Sequence, residues 1–192
     1  MAEPATLTRA VLEFWFPPAG GYRPEWFRKD EAFDAAIRQR FGGDIDAALV
    51  GHGPAEATDI DLLARIVVLD QFTRNIFRGT PRAFAGDAQA LAIATALVGA
   101  GRDKNLTPWQ RWFAYLPFEH SESLIEQERS VALFAALARE QHSDAFENAL
   151  DYAKRHRDVI ARFGRFPHRN AILGRVSTTE EVDFLKQPGS SF

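Results

Sequence analysis

The sequence predicts an all-α fold of stacked antiparallel helical hairpins. Apolar residues recur at spacings of three and four through most of the 192 residues, and no segment alternates as a half-buried strand would. Capping and proline signals fall between those stripes, and short connections between long helices favour antiparallel neighbours. At about 150 residues per domain, residues 1–186 are expected to form a single domain. Residues 187–192 are expected to be a loosely held tail.

The helices follow in order as Leu7–Phe14, Trp26–Phe41, Asp44–Val50, Asp59–Ile76, Phe84–Gly99, Pro108–Leu116, Ser121–Glu140 and Asp144–Phe163, with two short ones after them. Leu62, Leu63, Ile66, Leu69, Phe72 and Ile76 stripe the fourth. Thr107-Pro108-Trp109-Gln110 is a capping box with proline at the first helical position. Pro117 is expected to stop that helix, with Ser121 as N-cap of the next. Gly164 closes the long helix that follows, and Ser177-Thr178-Thr179-Glu180 repeats the box before a final short helix.

Composition narrows the function. With no Cys, the chain has no disulfide, thiol nucleophile or Cys-ligated metal. A net charge of −3 and a pI of about 6.0 argue against nucleic acid as a partner. The N-terminus lacks a basic region, so no signal peptide is expected, and the weakly polar run from Ala90 to Gly101 is too short to span a membrane. A cytoplasmic location is the expectation. Glycine-rich nucleotide loops, the Gly-x-Ser-x-Gly elbow and EF-hand spacing are all missing, and no cofactor is expected.

Four segments hold more chemistry than packing needs. Phe14-Trp15-Phe16 with Trp26-Phe27 reads as a helix pinned to the core, or as an aromatic ligand wall. In Leu69–Arg82, Asp70 and Arg74 lie four apart and pair on one helix face. Because Asp70 adjoins the apolar stripe it must have a partner, either in a structural ion pair or, with Arg74 and Asn75, in a polar floor for a ligand. Glu119-His120 sits at a helix junction, although adjacent residues do not face each other on a helix. In Phe163–Asn170, Pro167 is placed to open a helix whose first turn holds His168, Arg169 and Asn170, beside Arg165, where free N–H groups attract anions. The competing reading is that Asp70, Glu119 or Glu122 supplies that anion from within the protein. His156 brings the nearby histidines to three, a possible zinc set with a carboxylate, but without His-Glu-x-x-His no metal site is assigned. His52 and His142 lie in apparent surface segments.

Taken together, Phe14-Trp15-Phe16, Trp26-Phe27, Leu69–Asn75, Gly79–Phe84, Pro117–Glu122, Phe163–Asn170, Leu173-Gly174-Arg175 and Ser177–Glu181 resemble a bacterial family known as domain of unknown function 924. The resemblance runs nearly the whole chain in order and implies a tetratricopeptide-like helical fold. It carries no activity. One departure is Thr73, where proline is expected in relatives.

The leading functional expectation is a helical scaffold that binds an anionic small molecule or peptide. Asp70, Arg74, Asn75, Glu119, His120, His156, Arg165, His168, Arg169 and Asn170 line its polar site. One alternative is a hydrolase-type enzyme using His120 or His168 in acid–base chemistry, possibly with a metal. Another is that these residues form a buried network that only specifies the fold.

Overall fold

The computed structural model describes residues 4–51 and 57–190, and every regular element among them is helical. His52 lies outside the described residues. The chain divides into two compact units, Met1–Arg78 with Arg82–Pro117 and Gly79–Pro81 with Phe118–Phe192.

In the first unit, α1 (Pro4–Trp15) presents Val11 and Trp15 to the core, both fully buried. The Trp15 ring meets Phe72 at 5.6 Å and Phe113 at 5.3 Å, both edge-on. Such pairs add roughly 0.5–1.5 kcal/mol beyond area burial. Trp26 lies in a 3₁₀ turn (Pro24–Trp26), and its indole N–H donates to the Trp15 carbonyl at 2.9 Å. These aromatic residues pin α1 to the body.

α2 (Glu31–Val50) corrects the expectation of two helices, Trp26–Phe41 and Asp44–Val50. It starts later because Asp30 caps it, accepting from the Phe33 N–H at 3.0 Å. It then runs unbroken through Gly42 and Gly43. Phe33, Ile37, Phe41 and Ile45 recur every four residues on one buried face, and their burial outweighs the roughly 1 kcal/mol that each helical glycine costs. Gly43 is exposed, and a Cβ built there meets nothing within 4 Å. Gly43→Ala is therefore expected to stabilise the protein by about 0.5–1 kcal/mol, read as a higher denaturation midpoint at unchanged slope.

The helix expected over Asp59–Ile76 is α3 (Asp59–Ile66), a π-helical turn (Val67–Phe72) and α4 (Thr73–Ile76). Thr58 and Asp61 form a reciprocal capping box at its start. The wide π turn leaves Val67 through Phe72 all buried, Asp70 and Gln71 included. Its Leu69 carbonyl accepts the Thr73 hydroxyl at 2.8 Å, so threonine is accommodated where the resemblance expects proline. After a 3₁₀ turn (Pro81–Phe84), Gly86 packs against the backbone of Leu69, and α5 (Asp87–Gly99) begins there, later than expected.

A further 3₁₀ turn (Arg102–Asn105) leads to α6 (Pro108–Glu119), which overruns Pro117 and corrects the expectation of a stop there. Proline in a last turn removes one N–H but leaves the following backbone helical.

The second unit is built on α7 (Leu124–Gln141) and α8 (Asp144–Phe163), packed against each other as a hairpin. His142, exposed and left-handed at φ 49°, caps α7. Gly164, at φ 68°, closes α8 where the sequence places it. Val159, Ile160 and Phe166 form the unit's core with Phe163 and Phe184 against them. α9 (Thr179–Leu185) has Thr178 and Glu181 as its capping box, one residue beyond the Ser177–Glu180 pair read from sequence. In the tail, the Ser190 hydroxyl donates to the Leu185 carbonyl at 3.1 Å; residues 191–192 lie outside the described set.

Candidate functional site

The expected site residues fall in both units. In the first, the π turn aims Asp70 inward and it is wholly buried. Arg74, one turn on, places Nη1 3.1 Å from Asp70 Oδ1 and donates to the Asp70 carbonyl at 2.6 Å. The same guanidinium forks onto Asp87, the first residue of α5, at 2.8 and 3.0 Å. Gln71 donates to Asp70 Oδ2 at 2.6 Å, and Asn75 donates to Asp34 on α2 at 2.7 Å. The Asp70–Arg74 pair is as the spacing predicts. Asp87 and Asp34 carried no local signal, because their pairings span 13 and 41 residues.

In the second unit, three stretches meet: the α6–α7 connection, the middle of α8 and the turn after it. Glu119, the last residue of α6, faces His156, with Oε1 3.3 Å from Nδ1. His156 Nδ1 also lies 2.9 Å from the Tyr152 carbonyl, which fixes the proton on Nδ1. The His120 and His156 rings stand 6.4 Å apart, and Phe166 lies 5.6 Å from both His156 and His168. Arg169 stacks over Phe166 at 4.5 Å. Glu119, His156 and Arg169 are buried, whereas His120 and His168 are half-buried.

Two expectations are corrected here. The segment after Pro167 is a three-residue 3₁₀ turn (Pro167–Arg169), not a helix, and has no stack of aligned peptide dipoles to draw an anion. Ser121 does not cap α7. Ser123 holds that position, and Ser121 Oγ accepts from the Ser123 N–H at 3.3 Å.

The neighbouring ions are closely matched. Arg165 forks onto Glu181 at 2.6 and 2.8 Å, and this contact holds the Glu181 carboxyl down at about 2. Glu122 accepts from the Phe166 N–H at 2.8 Å and from Arg175 at 2.7 and 3.0 Å. Burial works to raise its pKa, but those donors and the field of Arg169 outweigh it and keep the carboxyl below its usual range. Asn170, fully buried, donates to Ser177 Oγ at 3.0 Å. Among the described residues, no three His, Cys, Asp or Glu side chains stand close enough to hold a metal ion.

His156 is pushed down from 6.5 to about 3, first by burial and then by the positive fields of His120, Arg169 and His168, against the opposing Tyr152 bond. It is neutral at physiological pH. The unfolded chain binds a proton near 6.5 that the folded chain refuses, so this contribution is complete above about pH 6.5 and is lost as pH falls toward 3. Between pH 6 and 5, unfolding free energy is expected to fall with acidification. His156→Gln should remove roughly one proton's share of that slope, about 1.4 kcal/mol per pH unit, whatever its baseline stability. Equal slopes in the two proteins would contradict the assignment.

No helix among the described residues is long and apolar enough to cross a membrane. A solved structure, that of the protein of unknown function ATU0120 from Agrobacterium tumefaciens, is similar at 36% identity and a TM-score of 0.78, covering 96% of this chain and 99% of that one. No curated protein matches. Residues 11–189 match the model of a bacterial protein family of unknown function, DUF924, and the chain belongs to that family.

Proposed function

We propose that the second unit binds a ligand bearing an oxyanion, a carboxylate or phosphate on a small molecule or peptide, through His120, His168 and Arg169. The observation that carries this reading is the layering of the cluster. The buried Arg169 guanidinium, the neutral His156 and the half-buried His168 all pack against the Phe166 ring, and the half-buried His120 stands against His156. Imidazole and guanidinium N–H groups at a partly water-excluded place make charge-assisted bonds to anions, stronger there than in bulk water. Glu119 orients His156, and Glu122 fixes the backbone of the turn from which His168 and Arg169 project. In this reading Arg74, Arg165, Asp70, Asn75 and Asn170 serve the fold through the ion pairs and hydrogen bonds described above. The net charge of −3 and the absence of Cys support a cytoplasmic protein with no nucleic-acid partner.

Inorganic phosphate tests the reading by thermal shift. At tenfold its Kd, a specific ligand adds about 1.4 kcal/mol, or a few degrees in Tm for a chain this size. Wild type is expected to show that shift, and His168→Asn and Arg169→Ala to lose most of it. If both folded variants keep the full shift, the site lies elsewhere.

A further inference from the structure

We infer that Gln127 is the positioning residue that sets the placement of Glu119 and His120, an assignment that rests on the oxyanion reading for its functional meaning. α6 ends with the problem of every helix, a last turn of carbonyls without intrahelical donors. Here the donor is a side chain from the first turns of the next helix. Gln127 on α7 is fully buried, and its Nε2 reaches the Glu119 carbonyl at 2.6 Å and the Ser121 carbonyl at 2.7 Å, with the Phe118 carbonyl at 3.4 Å. An amide nitrogen has two hydrogens, so the two short contacts take both. Because carbonyl oxygens surround that end, the amide has one workable orientation, with nitrogen toward them.

The consequence lies between those anchors. The Glu119 carbonyl belongs to the peptide that enters His120, and the Ser121 carbonyl to the peptide one residue beyond it. Tying both to one side chain fixes the His120 backbone from either side. It also fixes the end of α6, from which Glu119 reaches His156 at 3.3 Å. The hydrogen bonds of Gln127 all go to backbone carbonyls, so it acts on the segment through the backbone. Ser130, one turn along the same helix, is equally buried, and its hydroxyl makes no hydrogen bond, which makes it a matched control.

The test uses full-length protein, with histidine-ring NMR across a pH titration and phosphate titrated separately. Gln127→Met keeps the shape and removes the donor. It is expected to move the His120 titration midpoint by half a pH unit or more and to weaken phosphate binding tenfold or more, whereas Ser130→Ala leaves both unchanged. Should Gln127→Met fail to fold, Gln127→Asn keeps the amide a methylene short and is expected to act in the same direction. If the folded variant titrates at His120 and binds phosphate as wild type does, the inference is overturned while the oxyanion reading stands. If wild type binds no phosphate but the variant still moves the His120 midpoint, Gln127 positions the segment and the oxyanion reading falls.

Discussion

Arg74→Ala is expected to destabilise the protein by about 3–5 kcal/mol, the range found when one partner of a buried ion pair is removed. The guanidinium is one-fifth exposed and lies between Asp70, which is wholly buried, and Asp87. Without it, the buried Asp70 carboxylate loses the Arg74 charge and faces Asp87 across a partly dry space. Lysine is a poor substitute, since a point charge cannot fork onto Asp87 while reaching Asp70 and its carbonyl. Arg74→Lys should therefore recover only part of the loss. Removing the buried acid as well, in Asp70→Asn/Arg74→Ala, should be less harmful than the sum of the single changes. Denaturant unfolding of the four proteins measures this. An Arg74→Ala variant as stable as wild type would remove the structural role and return Arg74 to the candidate ligand groups, because binding residues commonly leave stability unchanged or raise it when replaced.

Gly86→Ala is the second large expected loss, about 3 kcal/mol, or on the order of 10 °C in Tm for a chain of this length. The backbone of Gly86 is in the ordinary right-handed region, so the effect is purely one of space. An added Cβ would overlap the Leu69 carbonyl oxygen and lie 2.9 Å from its carbonyl carbon and 3.0 Å from its Cα. Those atoms are backbone within the π turn and cannot swing aside as a side chain would. Relief would require α5 to back away from the turn, which would also pull Asp87 off Arg74. The same substitution at Gly43 is the built-in contrast, expected to stabilise. Like effects at the two positions would contradict the packing described for Leu69.

Periodicity made the helical class legible because each element buries one stripe, as α2 does with Phe33, Ile37, Phe41 and Ile45. It misread α2 at Gly42–Gly43, where local propensity yields to core burial. It also gave no hint of the π turn, since one wide turn hardly changes the spacing of Leu69, Phe72 and Ile76. The Ser177–Glu180 and Thr178–Glu181 pairs fit the same capping pattern, and only backbone geometry selects the second. At the candidate site, the Asp70–Arg74 pair was readable because both residues share a helix face. The partners of Arg165, Asn75 and Glu119 were not, because side chains 16, 41 and 37 residues away carry no local mark of the contact. Gln127 was silent for the same reason. An amide inside a helical stripe looks like a solvated residue until the carbonyls it caps are seen.

Histidine-ring NMR during a phosphate titration tests whether His120, His168 and Arg169 act together as the proposed oxyanion site. His120 and His168 resonances are expected to move together and saturate with one Kd, while exposed His142 on the α7 cap stays still. Resonances that do not move, or that drift without saturation and in step with His142, would contradict it.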